Sequence, residues 1–145
     1  KSADKPIFGV CFGHQSMADV FGGKAEKVGP AEVGVRAFEI EGETVTGHVW
    51  HQDQVTQTPP GATVIGSADY CPVAALAYDF PAMSVQFHPE YPPEYVSTFI
   101  QRTRGKILSE DVSDDAIAQF NASDVQADLF AKQMGDFFRT ALSAS

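Results

Sequence analysis

The chain has 145 residues, enough for one domain or one domain with a small appendage. Its 43% hydrophobic and 20% charged residues exclude a disordered chain. Ten basic against nineteen acidic residues leave a net charge of −9, which argues against nucleic acid and anionic membrane as partners. No apolar run approaches the ~20 residues of a membrane span, and no cationic start followed by an apolar stretch suggests a secretory signal. Two cysteines cannot make a disulfide-dense scaffold, so a reducing, cytoplasmic compartment is expected.

Residues 1–100 hold twelve Val and one Leu, whereas residues 101–145 hold two Val and three Leu. β-Branched enrichment predicts a sheet in the first part and helices in the tail. In chain order, Ile7-Phe8-Gly9-Val10 reads as a short buried strand. Gly13 follows, then Met17, Val20 and Phe21 at helical spacing, with Gly22-Gly23 as a stop. Alternation from Val33 to Ile40 predicts a strand, Glu41-Gly42-Glu43 a turn, and Thr44 to Trp50 a further strand. Pro59-Pro60-Gly61 is a loop; Val64-Ile65, Ala74–Tyr78 and Met83–Phe87 are strand candidates. Glu94–Arg104 reads as helix and Ser109–Asp115 as an acidic connection with capping residues. Ser123 and Gln126 fit a capping box, after which Val125, Leu129, Met134, Phe137, Phe138 and Leu142 mark one helix face. That face packs on the body of the protein or docks a partner.

Gly9-Val10-Cys11-Phe12-Gly13 has the G-x-nucleophile-x-G form. Flanking glycines let the chain turn sharply from strand to helix and lift the side chain clear of the sheet. Cys11 then stands at a helix N-terminus, where the dipole and free N–H groups stabilise a thiolate. The N–H of Phe12 is placed to donate to an oxyanion. A thiol nucleophile needs a base, and an imidazole base needs a carboxylate to fix its tautomer. His88-Pro89-Glu90 supplies both, because residues two apart in extended chain project to the same side.

Gly-Val-Cys-Phe-Gly-His-Gln at 9–15, together with His-Pro-Glu at 88–90, resembles the class I glutamine amidotransferases. Glu32-Val33-Gly34-Val35, His51-Gln52-Asp53-Gln54-Val55, Pro59-Pro60-Gly61-Ala62 and Asp69 to Ala75 resemble its GMP-synthase-like branch. The resemblance covers about residues 5–100. It implies an α/β, flavodoxin-like three-layer sandwich with a mainly parallel central sheet. It implies Cys11 as nucleophile, His88 as base and Glu90 as its orienter. It places Gln15 against the glutamine substrate and His51 in the loop bordering that site. The implied reaction is hydrolysis of the γ-amide of glutamine or a γ-glutamyl compound through a γ-glutamyl thioester, with no cofactor. In a synthase the ammonia passes to a second active site.

Three departures from the family carry expectations. The family domain begins well before its nucleophile, so residues 1–104 are expected to be a partial domain lacking the N-terminal strands and one oxyanion donor. The missing segment or a synthase partner would supply them. Residues 91–145 hold no Gly-rich phosphate loop, so no ATP-binding synthase domain follows. Residues 105–145 are read as a helical C-terminal extension outside the common core. The competing readings are an inactive fragment and a non-catalytic protein that binds partners or senses oxidation through Cys11. A structural zinc site is disfavoured: Cys11 and His14 make one half-site, but no second ligand pair stands at a recognised spacing.

Overall fold

A computed structural model describes residues 5–123, 125 and 127–143. The elements are β1 (Ile7–Val10), α1 (Phe12–Val20), β2 (Lys24–Ile40), β3 (Glu43–Gln57), β4 (Ala62–Ala68), β5 (Cys71–Tyr78), β6 (Ala82–Val85), α2 (Pro93–Thr103), α3 (Glu110–Ala122) and α4 (Ala127–Ser143). The strands form one six-stranded sheet in the order β1-β6-β5-β4-β2-β3.

The α/β class holds, but the strand directions differ from the expected mainly parallel sheet. Only β1 and β6 pair in parallel; β2/β3, β2/β4, β4/β5 and β5/β6 are antiparallel. The cause is connection length. A parallel pair needs a crossover of about a dozen residues or more. Here two residues join β2 to β3, two join β4 to β5 and three join β5 to β6. The β2/β3 hairpin turns at Glu41 (φ 51°) and Gly42 (φ 87°), a pair of positive φ values that matches the twist of the flanking strands.

Side-chain alternation along β1 builds the three layers. Gly9 faces α1, and a Cβ there would meet Met17 Sδ at 2.5 Å. Phe8 faces the other way, its ring 5.9 Å from Phe137 and 6.4 Å from Phe138 of α4. The core on the α4 side gathers Phe38, Val45, Val49, Ala75, Val85, Phe87 and Phe130. A second core on the opposite face of β2 and β3 joins Val33, Val96, Ile100, Leu108 and Ala116 under α2 and α3.

The tail covers the sheet, with two differences from expectation. Residues 109–115 are not a connection but the start of α3. Ser109 is its N-cap and accepts a hydrogen bond from the Val112 N–H at 3.3 Å. Glu110 and Asp111 fall in the first turn, where acidic side chains meet the positive end of the helix dipole. The acids masked an apolar spacing, Val112-Ala116-Ile117-Phe120, that is itself helical. In α4 the buried anchor is Phe130, whereas Leu142 is exposed. The Ser123–Gln126 capping box lies outside the described residues at Gln126.

Candidate active site

The strand-to-helix turn is strained at Cys11. Cys11 has φ 50° and ψ −103° and is the N-cap of α1. Its N–H extends the β1/β6 ladder by donating to Val85 O at 2.9 Å, and its carbonyl accepts from the Gln15 N–H at 3.1 Å. The glycine requirement falls on Gly9. A Cβ there would come within 3.0 Å of the Gly13 backbone, whereas one at Gly13 would meet nothing within 4 Å. The Phe12 N–H lies in the first turn of α1, among helical donors with no acceptor in their own helix. The Phe12 side chain is 77% exposed.

His88 reaches the same point from the chain after β6. Its N–H donates to His48 O at 2.8 Å, which moors it to β3. Its Nδ1–H donates to Glu90 Oε1 at 2.7 Å, and its ring stacks on Tyr91 at 4.1 Å with the planes 5° apart. Burial pulls the His88 pKa down, but hydrogen bonds to the Cys11 thiol and to Glu90 outweigh it and raise the pKa to about 9. An imidazolium at neutral pH therefore sits between a carboxylate and the sulfur. The sulfur has two further neighbours: Trp50 O at 3.7 Å, accepting from the thiol, and Gln86 Nε2 at 3.8 Å, donating to it.

Gln15 and His51 converge on a neighbouring wall. Gln15 Nε2 donates to Asp53 O at 2.7 Å and to Gln86 Oε1 at 3.2 Å. His51 Nδ1 lies 3.0 Å from the same Asp53 carbonyl, so this nitrogen carries the proton. His51 Nε2 then accepts from Tyr70 O–H at 3.2 Å. Burial lowers the His51 pKa and keeps the ring neutral. The buried His14 holds Ser84 Oγ at 2.8 Å through Nδ1 and Val73 O at 3.0 Å through Nε2, so it clamps β5 and β6. Cys71 is buried, which pushes its thiol up to about 12 and leaves it inert. Among the described residues no group of three or more His, Cys, Asp or Glu is arranged to hold a metal ion.

The structure thus brings Cys11, His88 and Glu90 together and sets Gln15 and His51 beside them. Gln86 and Tyr91 at the site escape a reading of the sequence, as does the role of the Trp50 main chain. Gln86 links the sulfur to Gln15, and its signal was a glutamine inside an apolar strand. Tyr91 covers one face of His88. The Trp50 main chain borders the sulfur, while its ring packs on Phe99 at 4.6 Å. A groove of about 740 Å³ lies elsewhere, between Phe8, Met83, Phe87 and α4, and none of Cys11, His88 or Glu90 lines it. No helix among the described residues is long and apolar enough to cross a membrane.

The chain is similar to known proteins. The model of the glutamine amidotransferase class-I family matches residues 1–102. The chain is 34% identical over 134 residues to the glutamine-hydrolyzing GMP synthase of Vibrio vulnificus, covering 79% of this chain and 26% of that protein. It is 36% identical over 115 residues to a glutamine-hydrolyzing GMP synthase subunit from Pyrococcus abyssi, covering 72% of this chain and 61% of that one. It therefore spans about a quarter of the length of the first of these relatives and under two thirds of the second. A crystal structure of a glutamine amidotransferase from Thermotoga maritima superposes with a TM-score of 0.70 at 20% identity, over 97% of this chain and 62% of that one. That likeness includes the helical tail in the shared fold. With a family model matched over residues 1–102 of 145, the chain belongs to the class I glutamine amidotransferases, and within them it is GMP-synthase-like.

Proposed function

We propose that this chain hydrolyses the γ-amide of glutamine, or of a γ-glutamyl compound, through a Cys11–His88–Glu90 triad. The observation that carries the reading is the unbroken line Glu90–His88–Cys11 at a strained elbow, with His88 raised to about 9. In the mechanism the Cys11 thiolate attacks the γ-amide carbonyl carbon. The Phe12 N–H donates to the oxyanion that forms. The intermediate collapses as the imidazolium of His88 gives its proton to the departing amine. A γ-glutamyl thioester and free ammonia or amine result. His88, now neutral, takes a proton from water, which attacks the thioester. The tetrahedral species collapses, glutamate leaves, and the thiolate of Cys11 and the imidazolium of His88 are regenerated. Glu90 holds the ring in the Nδ1–H tautomer throughout. Gln15 and His51 form the wall against which the glutamine rests.

Residues 1–104 are the amidotransferase part in this proposal and 105–145 the helical extension. Two observations favour an ammonia-donating role with a partner or a further segment over a stand-alone hydrolase. β1 is an edge strand of the sheet, and Phe12 is exposed beside the nucleophile. The relative that is itself a GMP synthase subunit points the same way. An upstream segment or a synthase partner would add strands beside β1 and a second oxyanion donor. Glutamate release measured on the chain alone, and again with a synthase partner, tests this. Release that depends on Cys11 and rises with the partner supports the amidotransferase role. Release at full rate without a partner makes the chain a stand-alone hydrolase. Release that persists in Cys11→Ala refutes the triad.

A further inference from the structure

The triad and its pocket wall come from residues before 105, yet one side chain of α3 reaches them. α3 packs on the Val33 face of the β2/β3 hairpin, and its Phe120 stacks on His48 at 5.6 Å. The adjacent side chain, Gln119, reaches the edge of β2. The edge is open there because β2 pairs with β4 only at Glu39 and Ile40. The side chain runs beside Gly34, whose φ of 124° disfavours any other residue and whose missing Cβ leaves room for Gln119 Oε1. That oxygen accepts from the Val35 N–H at 3.2 Å and from Arg36 Nη1 at 2.7 Å.

Arg36 carries the contact inward. Its Nε and Nη2 donate to Glu32 Oε2 at 3.1 and 2.7 Å. Its guanidinium lies 5.9 Å from the centre of the Tyr70 ring. Tyr70 donates to His51, His51 donates to the Asp53 carbonyl, and Gln15 donates to that carbonyl too. Gln15 stands on α1 four residues after the nucleophile and meets Gln86, which donates to the sulfur. Every link is a hydrogen bond or a ring contact, and the line begins in the tail.

We propose that Gln119 is a positioning residue for the glutamine pocket: it fixes Arg36, and through Tyr70 and His51 it sets the wall on which Gln15 and the substrate rest. The proposal builds on the glutamine-hydrolysing reading and makes the helical extension part of the site. An acceptor oxygen is what the position requires, because both of its partners are donors. A leucine fills the same volume and offers none; a glutamate keeps the oxygen.

The test measures the rate at which Cys11 of the full chain is labelled by a glutamine-mimicking diazoketone and, separately, by iodoacetamide. Gln119→Leu should slow the diazoketone about tenfold, the effect of losing one charge-assisted hydrogen bond, and change iodoacetamide by no more than about twofold. Gln119→Glu should restore the diazoketone rate. Arg36→Met should match Gln119→Leu, and the double variant should be no slower than either. A wild-type diazoketone rate in Gln119→Leu overturns the proposal. So does equal slowing of both reagents, or a Gln119→Glu variant as slow as the leucine. If the wild-type chain takes no diazoketone, the glutamine reading fails, and the His51 ring resonances then judge the clamp by themselves. They should move in Gln119→Leu and stay in Gln119→Glu; resonances unmoved in Gln119→Leu overturn it.

Discussion

The two sides of the site are built by different means. On one side stand Cys11, His88 and Glu90, positioned by short stretches of chain: an elbow over residues 9–13 and a carboxylate two residues from its histidine. On the other side stand Gln15, His51, Tyr70 and Arg36. Their hydrogen bonds join residues 38, 19 and 83 apart, at Gln15–Asp53, His51–Tyr70 and Arg36–Gln119. In the proposed reaction the first side carries the chemistry and the second holds the substrate while it happens. Each half of the triad is local, and the two halves meet through the β1/β6 ladder and the His88–His48 bond. Long-range geometry makes the wall sensitive to the packing of α3.

Substitutions on each side should separate these roles. The largest effect is expected on the local side, where His88→Asn should lower kcat/KM for glutamate release by about 10²–10⁴-fold, the usual worth of a general acid–base. Phe130→Ala, on the α4 face away from the triad, should cost about 3 kcal/mol of stability in a denaturant titration. It should leave Cys11 alkylation of the folded protein unchanged; altered alkylation would show that the two faces are coupled. Glu90→Gln should lower kcat by about 10²-fold, because the neutral amide no longer holds the imidazolium. It should also bring the His88 pKa down from about 9, which a pH–rate profile reads directly. On the long-range side, Tyr70→Phe should raise KM for glutamine by about tenfold with little change in kcat, since it removes an orienting hydrogen bond and no reacting group. An effect confined to kcat would move Tyr70 to the triad side of the comparison.

The smallest effect is on stability against pH, and two histidines give it opposite signs. The His88 pKa is raised in the folded chain, so its stabilising contribution is complete below the ordinary value of 6.5 and is lost as pH climbs through about 9. The His14 pKa is lowered to about 4 by burial, so its contribution is present above 6.5 and is lost as pH falls through about 4. A thermal-denaturation series should therefore peak between these limits. Glu90→Gln should flatten its alkaline arm only.

The same division explains what was legible in the sequence. The elbow and His-Pro-Glu could be read because each lies within five consecutive residues and each residue type has a chemical reason. The strands could be located in part: β2 reaches back to Lys24 and β3 runs on to Gln57, so His51 stands in a strand and not in a loop. Their directions were not legible, since a hairpin and a crossover use similar strands. Short joins at 41–42, 69–70 and 79–81 forced antiparallel pairs where the family resemblance had suggested parallel ones. Gln86, Gln119 and the Trp50 carbonyl stayed hidden. Their partners lie far away in sequence, and neither a glutamine nor a main-chain oxygen announces a role by its type. Helix α3 was hidden for another reason, since its acidic first turn looked like a linker while serving as the favourable end of a dipole.

An intact-mass spectrum decides whether Cys11 is a nucleophile in a formed glutamine pocket. The chain is treated with a glutamine-mimicking diazoketone, beside a Cys11→Ala control and a general thiol reagent. One adduct is expected on the wild-type chain and none on Cys11→Ala. No diazoketone adduct while the general reagent still modifies Cys11 would contradict this, leaving a reactive thiol without a pocket.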